Sequence, residues 1–212
     1  MKKTDTLIAS HLLHCKAIKF SLDPPFQWSS GWKSPIYCDN RITLSYPETR
    51  NLIKYSFVSL IKEKFLSTEA VAAVATGAIA HGAVVADNLD LPFLYVRPEP
   101  KVHGLENLIE GEMKQGQKIV VIEDLVSTGG SSIRAVEALR DNGAAVLGMV
   151  AIFTYGFKVA EENFRKADCR LFTLSNFDTL METAVETGYI KGSSLEILHR
   201  WMKNPETWAV NS

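Results

Sequence analysis

From Pro47 onward the chain alternates two kinds of segment, and this alternation constrains the fold more than any other feature of its 212 residues. Residues 70–75 (AVAAVA), 118–122 (KIVVI) and 146–153 (VLGMVAIF) are apolar runs with no polar residue at every second place. Runs of that kind read as strands buried on both faces of a mostly parallel sheet. The expected order is helix 47–65, strand 70–76, helix 80–89, strand 93–97, strand 118–124, helix 130–142, strand 145–153, helix 158–167, strand 170–175, helix 177–187 and a last helix 194–203. Strand–helix alternation on this scale predicts an α/β architecture, a mostly parallel central sheet flanked by helices. The uncharged stretch 70–86 is mostly Ala and Val, broken by Thr76, Gly77 and Gly82, and is too short for a membrane span.

The first 46 residues follow a different pattern. Thr4 or Asp5 can cap a helix in which Leu7, Ile8, Leu12 and Cys15 recur at helical spacing, expected to end near Phe20. From Ser21 to Leu44, Pro24, Pro25, Gly31 and Pro35 interrupt the aromatics Phe26, Trp28, Trp32 and Tyr37, as in short strands and turns. Residues 1–46 therefore read as a small N-terminal hood, ahead of a core at 47–212.

Bulk properties narrow the function classes. A formal net charge of -1 gives no general attraction to nucleic acid or acidic membranes, so an anionic ligand must be held by a local set of donors. Cys15, Cys38 and Cys169 are odd in number and widely spaced, which fits a reducing compartment. The opening MKKTDTLIASHLLHCKAIKF brings in Asp5, Ser10 and His11 too early for the apolar stretch of a signal peptide, and cytoplasm is the expected location. His11, His14 and Cys15 lie close together without a second ligand cluster, so core or surface roles are expected of them rather than a metal site.

The chemistry concentrates in VVIEDLVSTGGSS, residues 120–132. Ligands of open parallel sheets bind beyond the carboxyl ends of the strands, where Glu123 to Ser131 would lie. Ser127, Thr128, Gly129, Gly130 and Ser131 offer hydroxyls, lightly covered backbone N–H groups and a helix N-terminus, a combination suited to phosphate. Glu123 and Asp124 would repel a phosphate but accept hydrogen bonds from vicinal sugar hydroxyls. A ribose 5-phosphate satisfies both halves. Neither G-x-x-x-x-G-K-[ST] nor G-x-G-x-x-G occurs, so a P-loop and a dinucleotide fingerprint are excluded. A bare S-T-G-G could be an ordinary capped turn, but the preceding apolar-Glu-Asp run favours a ligand site.

The connection 98–117 is far longer than the usual two to six residues. Its length suits either a lid over a site or an excursion or hairpin without function.

VVIEDLVSTGGSS resembles the phosphoribosyl pyrophosphate signature of the type I phosphoribosyltransferases. YVRPEPKVHG followed by NLIEGE resembles the catalytic loop of the family's orotate-using branch, and WSSGWKSPIYCDNR its base-side segment. The resemblance implies a type I phosphoribosyltransferase-like fold and transfer of ribose 5-phosphate from phosphoribosyl pyrophosphate to N1 of orotate. It further implies Mg²⁺ held mainly by substrate oxygens and a homodimer in which Arg97, Lys101 and His103 reach the neighbouring subunit's site. Glu123 and Asp124 would contact ribose, and Leu125, Val126, Ser127, Thr128, Gly129, Gly130 and Ser131 would wrap the 5-phosphate. Ser127 would also touch orotate, and Tyr37 would either stack on the base or serve as a core aromatic.

VATGAIAHG, residues 74–82, would be the pyrophosphate-side loop, with His81 expected as a packed or exposed residue rather than a catalyst. Four positions depart from the pattern of many members. Ser29, Pro98 and Gly77 stand where lysines are common, and Thr154 or Tyr155 stands in place of an arginine aimed at the base. Two other readings share parts of the pattern: a phosphoribosyltransferase for a purine or another base, and a regulator that senses phosphoribosyl pyrophosphate and binds nucleic acid. The balanced charge and the catalytic-loop motif argue against the regulator.

Overall fold

The computed structural model of the chain describes residues 3–28, 31–99 and 108–208. Helix α1 (Thr4–His14) leads into β1 (Ile18–Phe20), β2 (Phe26–Gln27), β3 (Lys33–Ser34), β4 (Ile36–Cys38) and a 3-10 turn at Asn40–Ser45. Then come α2 (Pro47–Lys64), β5 (Ala70–Val74), α3 (Ile79–Leu89), β6 (Phe93–Val96), β7 (Ile109–Glu110), β8 (Lys118–Val126) and α4 (Gly130–Asp141). Strand β9 (Ala145–Thr154), α5 (Lys158–Lys166), β10 (Leu171–Asn176), α6 (Phe177–Glu186) and α7 (Leu195–Lys203) complete the order.

The main sheet runs β10-β9-β8-β5-β6-β7. Its first five strands are parallel, and only the edge strand β7 runs antiparallel, against β6. The apolar runs explain this placement. All five residues of β5 are buried, Ala70, Ala72 and Val74 facing one layer of helices and Val71 and Ala73 the other. One layer holds α4 and α5, with Val136, Leu139 and Phe164 packed on the sheet. The other holds α1, α2, α6 and α7 through Ile8, Leu12, Ile53, Phe57, Leu180 and Trp201. The chain moves outward from β5 to β6, then returns to the far side of β5 with β8. Loops leaving β5 and β8 therefore diverge over a crevice, the switch point at which such sheets bind ligands.

Two boundaries differ from the expected ones. The first helix stops at His14, six residues short of Phe20, and Lys16 takes a left-handed backbone with φ 58°. Residues 18–20 then pair antiparallel with 36–38. Their apolar spacing fits either period, and the available strand partner decides it. Strand β8 runs to Val126 rather than stopping at 124, because β9 extends to Thr154 and keeps the ladder going through Val126↔Thr154.

The C-terminal part of the long connection belongs to the sheet. Arg97 N–H bonds the Leu108 carbonyl at 2.8 Å, and β7 pairs Ile109 and Glu110 with Val96 and Tyr95. This part is the returning arm of a hairpin on the sheet edge. Lys101 and His103 lie outside the described residues. Cys15, Cys38 and Cys169 are free thiols, all buried. No described helix is long and apolar enough to cross a membrane.

Candidate active site

Because β8 continues through the acidic pair, strand alternation sends the two carboxylates different ways. Glu123 turns toward α4. Only 4% exposed, it accepts from Ser132 Oγ at 2.8 Å and from the Asp124 N–H at 3.0 Å. Asp124 turns toward the end of β5, where a Cβ on Gly77 would overlap its carboxylate. Gly77 is therefore the residue that lets this turn approach the acid. Burial raises both carboxyl pKa values, and the negative charge of Asp124 pushes Glu123 further up. The two carboxyls lie side by side, so ionising one makes ionising the other harder.

The loop after β8 is Ser127 to Gly129. Gly129 caps α4 with φ 79°, a left-handed conformation, and a side chain there would press on Phe164 at 3.0 Å. No side chain caps α4, so its first N–H groups remain available to an anion. The loop is pinned from outside: Asn163 Nδ2 donates to the Thr128 carbonyl at 3.0 Å, and Thr154 Oγ1 donates to the Val126 carbonyl at 3.2 Å. Rigid placement of this kind spares a phosphate site the cost of ordering its donors on binding.

Next to this loop is a cavity of about 460 Å³, lined by Gln27, Trp28, Trp32, Tyr37, Cys38, Leu125, Ser127, Thr128 and Tyr155. It brings together Tyr37, which is 37% exposed and packed against Phe26 at 5.6 Å, and Ser127. Most of its wall lies where the base-side segment and the loop were expected, and Tyr155 lies at the expected base-side position; the supporting Trp201 was not foreseen. Trp28 and Trp32 stack at 6.2 Å, and Trp201 of α7 closes on Trp28 edge-on at 5.6 Å while donating Nε1–H to the Lys33 carbonyl at 3.2 Å.

Asn40, also missed, joins the hood to the sugar side. Fully buried, it donates Nδ2–H to the Asp124 carbonyl at 2.6 Å, and its Oδ1 accepts from Cys38 Sγ at 3.3 Å. A second join lies behind the 75–78 turn, where His81 Nε2 meets Thr43 Oγ1 at 3.1 Å. His81 is 1% exposed, and burial lowers its pKa to about 4, so it is a packed neutral histidine.

Arg97 leaves the end of β6 half-exposed. Its Nη1 lies 3.5 Å from Glu110 Oε1, and its Nε donates to the Glu99 carbonyl at 3.3 Å. Among the described residues no group of three or more His, Cys, Asp and Glu could hold a metal ion.

Residues 53–181 match the family model for the phosphoribosyl transferase domain. The fold and the site together thus define a phosphoribosyltransferase. Over 210 residues the chain is 58% identical to the orotate phosphoribosyltransferase of Porphyromonas gingivalis, covering 99% of this chain and all of that one. It is 56% identical to that of Bacteroides thetaiotaomicron over 208 residues, 98% of each. The crystal structure of the Aeropyrum pernix orotate phosphoribosyltransferase superposes with a TM-score of 0.75 at 29% identity, over 86% of this chain and 99% of that one. The chain belongs to the orotate phosphoribosyltransferase family.

Proposed function

We infer that the chain transfers ribose 5-phosphate from phosphoribosyl pyrophosphate to N1 of orotate, giving orotidine 5-monophosphate and pyrophosphate. The observation that carries the reading is the shared wall of the site: Ser127 and Thr128 open both the phosphate loop and the base cavity. A base lying against Tyr37 and Trp28 is thereby held next to a sugar anchored at Asp124 and the α4 N-terminus.

The hard part of the reaction is charge separation, as the sugar becomes oxocarbenium-like and pyrophosphate gathers negative charge. In this reading Asp124 accepts from the ribose hydroxyls and faces the positive sugar, with Glu123 beside it. Residues 125–131 hold the 5-phosphate through backbone N–H groups and hydroxyls, and the small residues of 75–78 let pyrophosphate approach backbone donors. Mg²⁺, when bound, would neutralise charge between pyrophosphate and ribose oxygens. Asp124 at an open site without a protein cage suits it, since Mg²⁺ commonly binds through one or two carboxylates plus substrate oxygens. Arg97, Lys101 and His103 are assigned to a lid that closes on the neighbouring subunit's pyrophosphate, excludes water and makes the homodimer the active unit. A cytoplasmic location accords with the three free thiols.

The direct test is loss of orotate ultraviolet absorbance with purified protein, phosphoribosyl pyrophosphate and Mg²⁺, run beside uracil, adenine, hypoxanthine and xanthine. Turnover confined to orotate is expected. Turnover of a purine instead would overturn the substrate, and silence with every base would favour a sensor. Site sharing has its own test. A Lys101→Ala chain mixed with an Asp124→Asn chain should recover activity that neither has alone, and heterodimers without recovery would remove the shared lid.

A further inference from the structure

Tyr155 occupies the position just past β9, and the structure gives its two ends opposite surroundings. The ring is clamped: stacked on Phe157 at 5.4 Å and 13°, met edge-on by Phe153 at 5.4 Å and Trp201 at 5.7 Å, and tilted against Trp28 at 5.1 Å. The residue is 2% exposed, so its orientation is fixed by packing on several sides. The hydroxyl, by contrast, has no hydrogen-bond partner among the described residues. Nor is it sealed in protein: among the described residues the enclosed side-chain atoms without a partner are His81 Nδ1 and Ser175 Oγ. The residue lines the base cavity beside Tyr37 and Cys38, and a hydroxyl that is neither bonded nor enclosed is the end free to meet an occupant. A phenol buried to this degree normally finds a partner, and an occupant of the cavity can supply it.

The rest of the wall makes that end distinctive. Trp28 Nε1–H is spent on the Ile36 carbonyl at 3.2 Å, and the Cys38 thiol on Asn40 Oδ1 at 3.3 Å. No Lys or Arg is among the described lining residues. Arg41, three residues past Cys38, is held by Asp39 at 2.7 and 2.9 Å. Burial raises the Tyr155 pKa further above its already high ordinary value, so the group stays a neutral donor.

We propose that Tyr155 is a specificity-determining residue of the base site, its hydroxyl donating a hydrogen bond to an acceptor oxygen of the pyrimidine substrate. An anionic base is thus read here by a rigid neutral donor instead of a cation. A base without an acceptor at that place leaves the phenol unpaired and is rejected, a stronger discrimination than apolar fit provides. The proposal rests on orotate being the substrate, and its test separates the two.

Tyr155→Phe removes one oxygen and keeps the ring in its clamp. With wild type active on orotate, KM for orotate should rise about tenfold in the variant, as loss of a hydrogen bond to a charged ligand predicts. KM for phosphoribosyl pyrophosphate and the melting temperature should stay put, and the Kd of orotidine 5-monophosphate by calorimetry should rise in step. Unchanged orotate KM and product Kd would overturn the proposal, leaving Tyr155 as packing. A rise in both KM values with a falling melting temperature would overturn it as well, placing the hydroxyl in the fold. Wild type inactive on orotate would remove the function and this role together, and it would be seen before any variant is made.

Discussion

The sugar–phosphate half of the site and its base half are built on different principles. The first is an extension of the sheet: β5 and β8 are central parallel neighbours, and their ends place Gly77 against Asp124 and Ser127 before α4 within a few residues of each strand. The second is assembled across the chain, from hood residues 26–38, from Tyr155 and from Trp201, whose bond to Lys33 spans 168 positions. Backbone ladders fix the sugar side, and aromatic packing fixes the base side. Damage to packing should therefore spoil base recognition while sparing the phosphate loop.

The largest effect follows from removing the indole that supports Trp28 and Tyr155 from behind. Trp201→Ala empties a fully buried indole site and leaves the Lys33 carbonyl without its donor, which should cost about 3–5 kcal/mol of stability by urea unfolding. In the folded fraction KM for orotate should rise several-fold while the affinity for phosphoribosyl pyrophosphate stays within a factor of about two. An equal loss of both would break the division into halves, since it would show the loop leaning on the aromatic cluster.

Within the sugar half the two carboxylates should separate. Asp124→Asn removes the charge facing the sugar and should lower turnover by about 10²–10³, the scale for losing one well-placed electrostatic group. Glu123→Gln replaces a carboxyl that is buried against Ser132 of α4 and turned away from the sugar, and should cost under about tenfold. It should also gain stability relative to wild type as pH rises. With its folded pKa raised above the unfolded value, Glu123 favours the folded state less and less as pH climbs through that window. Equal losses of activity from the two substitutions would show that both carboxylates carry charge in the working enzyme.

How much of this could be read from the sequence follows the same division. AVAAVA and KIVVI admit one arrangement, buried parallel strands, and the Glu-Asp pair at the end of such a strand points to a sugar without any knowledge of the fold. The strand's extra two residues were not readable, because β9 determines where the ladder ends. In the hood, residues 18–20 fit helix and strand alike, and pairing with 36–38 decides between them. Trp28, Trp32, Tyr155 and Trp201 carry no periodicity that would bring them together. Asn40 looks like any turn residue until its amide is seen on the Asp124 carbonyl. Long-range contacts made by side chains leave no local trace.

The smallest effect tests the join between the halves through pH. Thr43 Oγ1 donates to the Asn40 carbonyl, so it must accept from His81 Nε2–H, and Nδ1 is then a bare acceptor with no partner. Protonating Nδ1 would put a second donor and a charge where nothing receives them, with Arg50 adding repulsion. The folded pKa of about 4 lies below the ordinary histidine value of 6.5, so between these pH values the unfolded chain binds a proton that the folded chain does not. Stability from this group is intact above pH 6.5 and falls as pH drops toward 4, by about 2 kcal/mol at pH 5. His81→Gln should be the less stable protein at pH 7 by urea unfolding, with the gap to wild type closing as pH falls. A gap that stays constant would show that His81 does not carry the pH dependence. If it does carry it, acid pH loosens Thr43 and the hood before the sheet ends, and orotate KM should climb at a pH where phosphoribosyl pyrophosphate still binds.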